Sequence, residues 1–292
     1  MRWAIAVLTM LLALGAAPPS ATQILDDGLR RLQSYPVPPY AVWTTTWHIR
    51  ARPMGYYEGG ETSSVAVNRY AVRIADGMEN TSEPPLDGKL PPATIGPEFL
   101  GPFAWSLRSQ IHVAPSNGAS AMQPDFSGLK TIATVHVVAK PSYTIGRTPG
   151  EPVPIVEVDG RPAYHLELNP VDDPAKHNLR DLWIDVATYD VLEVHFAGRY
   201  SPGPGAPSSP TDARAYFRNV LGCWVIIRDV WTYEDSPMLY TFDVQNDEIG
   251  LPPMLPEWLF DDAAYLQHER AREPDYLGLL LQRMRAGAPP SG

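Results

Sequence analysis

The segment from Tyr164 to Phe196 constrains the fold more than any other part of this sequence. Apolar and polar side chains alternate at 164–168, a polar loop follows, and apolar runs return at 182–185 and 191–196. A period of two residues is typical of β-strands, in which successive side chains point to opposite faces of a sheet. The short turns between the later runs indicate antiparallel neighbours. The segment therefore predicts a meander of three strands.

The same alternation predicts strands on either side of this meander. Trp43 and Trp47 share one predicted face of a strand at 40–49, and a second alternating run covers 64–74. Asp159-Gly160 is a favoured hairpin turn between two short apolar runs. Further strands are predicted at 79–82, 131–139, 155–158, 163–168, at two places within 213–233 with a turn near 219–222, and at 239–245.

Helices are predicted near the two ends of the chain. Apolar residues recur at helical spacing over 22–35, where Thr22 is the predicted N-cap, and again over 261–287, with a break near Pro274. A short helix or strand is also predicted at 103–113. The predicted fold class is mainly β (α+β), a curved antiparallel sheet or incomplete β-barrel covered by N-terminal and C-terminal helices.

The N-terminal residues have the pattern of a secretory signal. Arg2 precedes an apolar run at 4–17, and small residues follow it. An apolar run of this length is typical of a signal peptide and short for a membrane span. The predicted organisation is a signal peptide at 1–21, a β domain at 22–260, and a C-terminal helical extension with a disordered tail at 261–292. Proline-rich stretches at 83–101, 141–154 and 200–210 are predicted to be irregular.

Composition narrows the classes of partner and chemistry. The formal net charge of −10 disfavours nucleic acid and anionic membrane surfaces as partners. Cys223 is the only cysteine, so an intrachain disulfide is impossible, and its apolar surroundings predict a buried, inert thiol. Nucleophile-elbow, phosphate-loop and zinc-binding spacings are absent from the sequence. We therefore expect no enzymatic activity and no cofactor.

One polar pattern leaves a metal-dependent enzyme as the least favoured alternative. His165 and Glu167 alternate on one predicted strand, and Glu193 and His195 alternate on another. If the registers match, all four side chains share one face and offer nitrogen and oxygen ligands for zinc. A solvated outer face with weak ion pairs is the favoured interpretation, and no metal ligand is predicted.

The motif Tyr-x-Leu-x-Leu-x-Pro at 164–170, followed by Leu-Trp-Ile-Asp at 182–185, resembles the periplasmic lipoprotein-carrier superfamily, the LolA/LolB/RseB-like proteins. The strand at 240–246, a proline-containing link and Trp-Leu-Phe at 258–260 are similar to the end of that sheet. The resemblance implies an unclosed antiparallel barrel whose helices plug its open side. Its best-known members hold acyl chains and ferry lipoproteins, and others sense lipids or partner proteins. The proline-rich insertions and the C-terminal helices depart from the carrier pattern.

These patterns together predict an exported, periplasmic or secreted protein that is not membrane-spanning once its signal is removed. It is expected to bind a lipid or an acylated partner in an apolar cavity. The alternative is an envelope protein-interaction or sensing module with a filled core. Trp183, Trp224 and Trp231 are further strand aromatics that offer the same apolar surface. The predicted ligand-binding residues are Trp43, Trp47, Tyr70, Val72, Leu166, Leu168, Leu182, Ile184 and Phe242.

Overall fold

The structure is a computed structural model that describes residues 18–54, 59–97, 126, 129, 142–148, 150–171, 177–200 and 209–286. Most of the predicted signal peptide lies outside the described residues. The same holds for the element predicted at 103–113 and for the strand predicted at 131–139.

Twelve strands and three α-helices make up the described secondary structure. The helices are α1 (Ala21–Ser34), α2 (Asp262–Arg270) and α3 (Tyr276–Arg285), and a 3-10 turn covers Glu257–Phe260. The strands are β1 (Tyr40–Pro53), β2 (Thr62–Arg73), β3 (Met78–Ser82), β4 (Ala93–Pro97), β5 (Tyr143–Ile145), β6 (Ile155–Val158), β7 (Arg161–Pro170), β8 (Leu179–Asp185), β9 (Val191–Tyr200), β10 (Ser209–Val220), β11 (Cys223–Asp235) and β12 (Met238–Gly250).

The strands follow one hydrogen-bonded order, β4-β3-β2-β1-β12-β11-β10-β9-β8-β7-β5, with β6 also beside β7. The paired strands run antiparallel, and within the described residues the order is open at β4 and β5. The predicted fold class is therefore confirmed: a mainly β chain with an unclosed antiparallel sheet and helices near both ends.

Local turn chemistry explains the hairpins that the sequence predicts. Asp159 and Gly160 join β6 to β7 with φ of 48° and 74°, and Leu221 and Gly222 join β10 to β11 with φ of 51° and 87°. Positive φ at both central residues is the geometry of a two-residue turn whose twist matches that of the strands. Glycine adopts this conformation without strain, which is why it occupies the second position in both turns.

Two stretches predicted to be irregular contain short strands. β4 lies within 83–101, and β5 lies within 141–154, where Ile145 pairs with Leu168 of β7. Neither strand has a strong apolar alternation of its own. Each is a strand because it forms hydrogen bonds with a neighbouring strand. For β5 that neighbour, β7, is not the next strand in the sequence, so local patterns do not predict β5.

The chain divides into two compact units. Unit 1 comprises Met1–Tyr35 and Ala121–Phe217, and unit 2 comprises Pro36–Ser120 and Arg218–Gly292.

In unit 1, helix α1 packs its apolar face on β7 and β8. The helix begins one residue earlier than predicted, and its N-cap is Ser20 in place of Thr22. Ser20 Oγ accepts from the Gln23 N–H at 3.2 Å, and Gln23 returns a hydrogen bond to the Ser20 N–H at 2.9 Å. This reciprocal capping box satisfies two backbone donors of the first turn, which Thr22 inside the helix does not do. Gly28 lies directly over Ile184, where a Cβ would come within 2.8 Å of the isoleucine Cδ1.

The C-terminal end of α1 is fixed by a buried carboxylate on the turn between β8 and β9. Asp190 accepts from Arg31 Nε at 2.8 Å, Tyr35 Oη at 2.6 Å and Thr188 Oγ1 at 2.7 Å. Burial acts to raise the pKa of Asp190, but these hydrogen bonds outweigh it and lower the pKa. Asp190 is therefore a charged anchor for the helix.

In unit 2, the C-terminal helices cover one face of β1 and β2. Val42 and Ala71 pair across these strands and pack with Leu277, Leu280 and Leu281 of α3. Asp275 caps α3 and forms a buried ion pair with Arg69 of β2 at 2.6 Å. The helical pattern predicted over 261–287, with its break near Pro274, corresponds to α2 and α3. Among the described residues, no helix combines the length and apolarity that crossing a membrane requires.

Removing the charge of Asp190 should weaken the attachment of α1. We expect Asp190→Asn to lower the free energy of unfolding by about 2–3 kcal/mol, because hydrogen bonds from Arg31 and Tyr35 lose a buried charged acceptor. Urea unfolding followed by far-UV circular dichroism measures the change. Asp26→Asn is the matched control on the same helix, since its pair with Arg30 is exposed and should contribute less than about 0.5 kcal/mol. Equal effects of the two substitutions would contradict the anchoring role.

Candidate functional site

Three of the predicted ligand-binding residues lie in a closed core of unit 2. Trp43 and Tyr70 face each other across β1 and β2 with ring centroids 5.1 Å apart, and Val72 packs beside them. These side chains are 0–2% exposed. Cys223 belongs to the same cluster, and burial raises the pKa of its thiol, as expected for a buried, unreactive cysteine.

Four further predicted residues lie in unit 1. Leu166 and Leu168 of β7 and Leu182 and Ile184 of β8 are 0–2% exposed. Leu166 pairs with Leu182, and Ile184 lies under Gly28 of α1. These four side chains form part of the packed interior under the N-terminal helix.

The remaining two predicted residues, Trp47 and Phe242, lie in a half-buried aromatic group of unit 2. Tyr233, Tyr240 and Trp231 complete this group. We call these five residues the aromatic ladder. The two tyrosines were not predicted as site residues. Trp231 and Tyr233 share one face of their strand, and Tyr240 and Phe242 share one face of theirs, which the sequence pattern shows. This pattern locates an aromatic site only when the register between the two strands is known.

Strand register places the ladder residues, together with four other side chains of the same face, in three rows across β1, β12 and β11. The inner row is Trp47, Val244 and Asp229; the middle row is Ile49, Phe242 and Trp231; the outer row is Ala51, Tyr240 and Tyr233. Directly opposed residues on neighbouring strands are close enough for their side chains to touch. The middle and outer rows hold no charged side chain among these described positions, so they form a continuous apolar surface.

Four of the five rings of the ladder are stacked in near-parallel planes. Trp231 and Phe242 have centroids 3.9 Å apart at 7°, and Tyr233 and Tyr240 have centroids 4.9 Å apart at 10°. Trp47 meets Phe242 edge-on at 6.5 Å. Such pairs add about 0.5–1.5 kcal/mol each beyond the burial of area. The rings therefore support one another as a rigid surface.

The ladder lies on the face of the sheet away from the C-terminal helices. Trp43 and Trp47 lie on the opposite face of β1 from Val42, and the Val42 face packs against α3. Side chains two residues apart share a face and those one apart do not. Helices α2 and α3 therefore cover the opposite side of these strands, and the ladder is not part of their core. Trp47, Tyr233, Tyr240 and Phe242 are only half buried.

A buried carboxyl group ends the ladder on its inner side. Asp229 is 8% exposed, and its Oδ1 has no hydrogen-bond partner among the described residues. Burial raises the pKa of Asp229 to about 7, and the neighbouring Asp243 acts in the same direction. An unpartnered, buried carboxyl next to aromatic rings is costly, which makes it a candidate contact for a polar group.

The polar residues predicted to share a face in unit 1 do share it. His165, Trp183 and Glu193 are directly opposed on β7, β8 and β9, and so are Glu167, Asp181 and His195. The two histidines are joined through Asp181, at 2.8 Å from His165 and 2.7 Å from His195.

Ion pairs account for the rest of this polar face. Glu193 pairs with Arg214 at 2.7 Å, and His195 also bonds Asp212 at 2.8 Å. Asp181 and Asp212 were missed at the sequence level, because their place beside the histidines depends on register. Within the part of the chain that the structure describes, no group of three or more potential ligands is placed to hold a metal ion.

A cleft of about 520 Å³ in unit 2 is lined mainly by polar side chains. Arg218, Arg228, Asp247 and Glu248 contribute charges of both signs to its wall. An acyl chain would have to displace water from these charged groups, so this cleft is a poorer place for an apolar ligand than the ladder.

Three solved structures resemble the chain. A LolA superfamily protein from Nitrosomonas europaea is 14% identical, with a TM-score of 0.36 over 84% of this chain and 99% of the other. An outer membrane lipoprotein-sorting protein domain from Vibrio parahaemolyticus is 12% identical, with a TM-score of 0.38 over 82% and 97%. A DUF1329 family protein from Desulfovibrio piger is 12% identical, with a TM-score of 0.36 over 85% and 100%.

These structures include a member of the superfamily that the strand motifs predicted. No family model and no curated protein matches the chain. Identities of 12–14% transfer no ligand or partner to this chain, whose function must follow from its own residues.

The pair of Asp181 and His195 should stabilise unit 1 most in mildly acidic solution. The hydrogen bond to Asp181 raises the pKa of His195, although burial opposes it. The contribution of His195 to stability is therefore complete below about pH 6.5 and is lost as the pH rises through the pKa of His195 in the folded protein. Burial acts to raise the pKa of Asp181, but hydrogen bonds from both histidines lower it, so its contribution is lost only in stronger acid. We expect Asp181→Asn to cost about 1–3 kcal/mol near pH 5.5 and clearly less near pH 8.5.

Urea unfolding of the wild type and the variant at both pH values measures this difference. Asp212→Asn is the control, because the Asp212 side chain is 65% exposed and its ion pair should contribute less than about 1 kcal/mol. A loss for Asp181→Asn that is the same at both pH values would rule out the charged pair as its source.

Proposed function

We propose that this chain is an exported, non-enzymatic protein that binds a lipid or an acylated partner through the aromatic ladder of unit 2. The observation that carries the proposal is the group of contacting rings, four of them half buried, on the sheet face that the C-terminal helices leave uncovered. The signal-like segment at 4–17 supports a periplasmic or secreted location.

An acyl chain suits this surface in shape and in polarity. The middle and outer rows run across three strands, and their rings and aliphatic side chains offer only apolar contacts apart from the two phenol groups. Burying about six methylenes there contributes about 5 kcal/mol before the cost of immobilising the chain. That magnitude corresponds to reversible binding, which a carrier or sensor of acyl chains needs.

The proposed site differs from the expected cavity. Trp43, Tyr70 and Val72 are packed against one another, so an acyl chain could reach them only by displacing their neighbours. Trp47 and Phe242 are the predicted residues that the proposal retains as direct contacts. The proposal includes no metal, no cofactor and no nucleic acid.

A second candidate is an envelope protein partner that docks on the same ladder. The closed core around Trp43 and Tyr70 favours it, because a filled core is what an interaction module on this fold would have. Tyrosine and tryptophan are also enriched at protein interfaces. The two candidates differ in whether an isolated acyl chain is sufficient for binding.

Titration with a single uncharged amphiphile tests the proposal. A dodecyl chain on a polyethylene glycol head, kept below its critical micelle concentration, should give a saturable change in tryptophan fluorescence, because Trp47 and Trp231 lie in the ladder. Phe242→Ala should weaken binding about tenfold or more, since the lost ring contributes about 1.5–3 kcal/mol of apolar contact.

Thr241→Ala is the matched control, because Thr241 precedes Phe242 on β12 and points to the opposite face. Far-UV circular dichroism verifies that each variant is folded. Absence of saturable binding, or an affinity that Phe242→Ala leaves unchanged, would refute the proposal. Tight binding of an unacylated amphipathic peptide without any binding of the amphiphile would support the second candidate.

A further inference from the structure

Asp229 occupies a distinct position at the inner end of the aromatic ladder. It shares its row with Val244 and Trp47, and Trp231 follows it two residues later on the same face of β11. Its side chain therefore points toward the same side of the sheet as the two indole rings. A ligand whose chain lies along the outer rows would bring its head group to this carboxyl.

The hydrogen-bonding state of Asp229 indicates a missing partner. Buried polar atoms nearly always have one, and an unpartnered buried carboxyl is costly. Asp229 Oδ1 has none among the described residues, although the side chain is more than nine-tenths buried. Another buried carboxyl of unit 2, Glu79, accepts from Thr81 Oγ1 at 2.6 Å through Oε1, while its Oε2 also has no partner among the described residues, and Glu79 lies beside the closed core of Val72. Asp229 is thus distinguished by its place beside the ladder.

We propose that Asp229 is the head-group contact of the ligand, and that the ligand is an amphiphile whose head carries a primary ammonium group. The ammonium donates an N–H to Asp229 Oδ1, which neighbouring side chains enclose in the unliganded protein, so these side chains must move apart on binding. It then lies near the indole rings of Trp47 and Trp231. This inference rests on the proposed function, because it assigns the head of the same ligand whose chain occupies the ladder.

Charge and ring chemistry select an ammonium over other head groups. A carboxylate or phosphate head would be repelled by the ionised Asp229 carboxylate. A hydroxyl head would donate a hydrogen bond but would carry no positive charge for the carboxylate or the rings to attract. An ammonium gains from both the carboxylate and the rings, and cation–π attraction is strongest for tryptophan.

Because Asp229 is a titratable group, binding of an ammonium head group should depend on pH. Burial raises the pKa of this carboxyl to about 7 in the free protein, so acid neutralises the group that the ammonium needs. The neighbouring groups that interact electrostatically with it are Asp243 of β12 and the Tyr70 hydroxyl of β2. Ammonium binding should therefore weaken below about pH 6, while binding of an uncharged head should not change there.

Three dodecyl amphiphiles with different heads test the inference. Dodecylammonium, dodecanoate and the uncharged dodecyl polyethylene glycol ether are titrated below their critical micelle concentrations, at about pH 8 and about pH 5.5. We expect dodecylammonium to bind about tenfold more tightly than the uncharged ether at the higher pH, and to lose most of that advantage at the lower pH.

Asp229→Asn should abolish the preference for dodecylammonium over the uncharged ether. Glu79→Gln is the matched control, because it removes another buried carboxyl whose pKa is also raised to about 7 but which lies beside the closed core. This control should keep the preference. Folding of Asp229→Asn is not at risk, since replacing an uncompensated buried carboxyl should raise the urea midpoint near pH 8.

The outcomes separate this inference from the proposal on which it rests. Equal binding of all three heads, or a preference that survives Asp229→Asn, overturns the ammonium assignment and leaves the ladder as an acyl-chain site. Preferred binding of dodecanoate also overturns it. If none of the amphiphiles binds saturably, the proposed function fails and the head-group assignment fails with it.

Discussion

The uninterrupted register of β12 between β1 and β11 is the constraint on which the rest of unit 2 depends. From Thr44 to Pro53 every residue of β1 has one partner on β12, and the same strand is paired one to one with β11 from Arg228 to Asp235. A slip of one residue would move every side chain of one strand to the other face. The rings meet only because this register holds.

The irregularity that precedes this register is itself fixed by side chains. Between Val42 and Thr44 the pairing shifts, and Glu248 on the opposing strand adopts a φ of 53°. Glu248 accepts from Thr44 Oγ1 at 2.8 Å and forms an ion pair with Arg285 of α3 at 3.0 Å. Bulges of this kind are positioned features of a sheet. In this case the bulge is tied to a helix, so the C-terminal helices help to define the strand alignment from which the ladder arises.

The two faces of these strands therefore differ in how they are covered. The face of Val42 and Ala71 forms a helix-covered core that includes the buried ion pair of Arg69 and Asp275. The other face continues from the closed cluster around Trp43 to the half-buried ladder. The ladder and the helix-covered core therefore lie on opposite sides of the same backbone, so a ladder residue can be changed without disturbing the helix-covered core.

Local patterns in the sequence predict the strands and several turns, but they do not predict which residues come together at the candidate site. Asp159-Gly160 encodes its hairpin directly, because its φ preferences match the turn. The spacing of Ser20 and Gln23 fits a capping box, but the apolar pattern begins at Thr22 and so predicts Thr22 as the N-cap. Tyr233, Tyr240 and Asp181 were missed for a different reason: their importance depends on which residue of another strand lies opposite, and alternation fixes a face without fixing a register.

The pairing of the first strand with the last has a consequence for the order of events in the life of the protein. Thr45 and Asn246 are hydrogen-bonded partners separated by 201 positions along the chain. β1 can therefore pair with β12 only after the ribosome has made the segment 238–250, and pairings over such distances form slowly. Until then the chain can place β1 only against β2, so the face shared by β1, β11 and β12 is among the last parts of unit 2 to form.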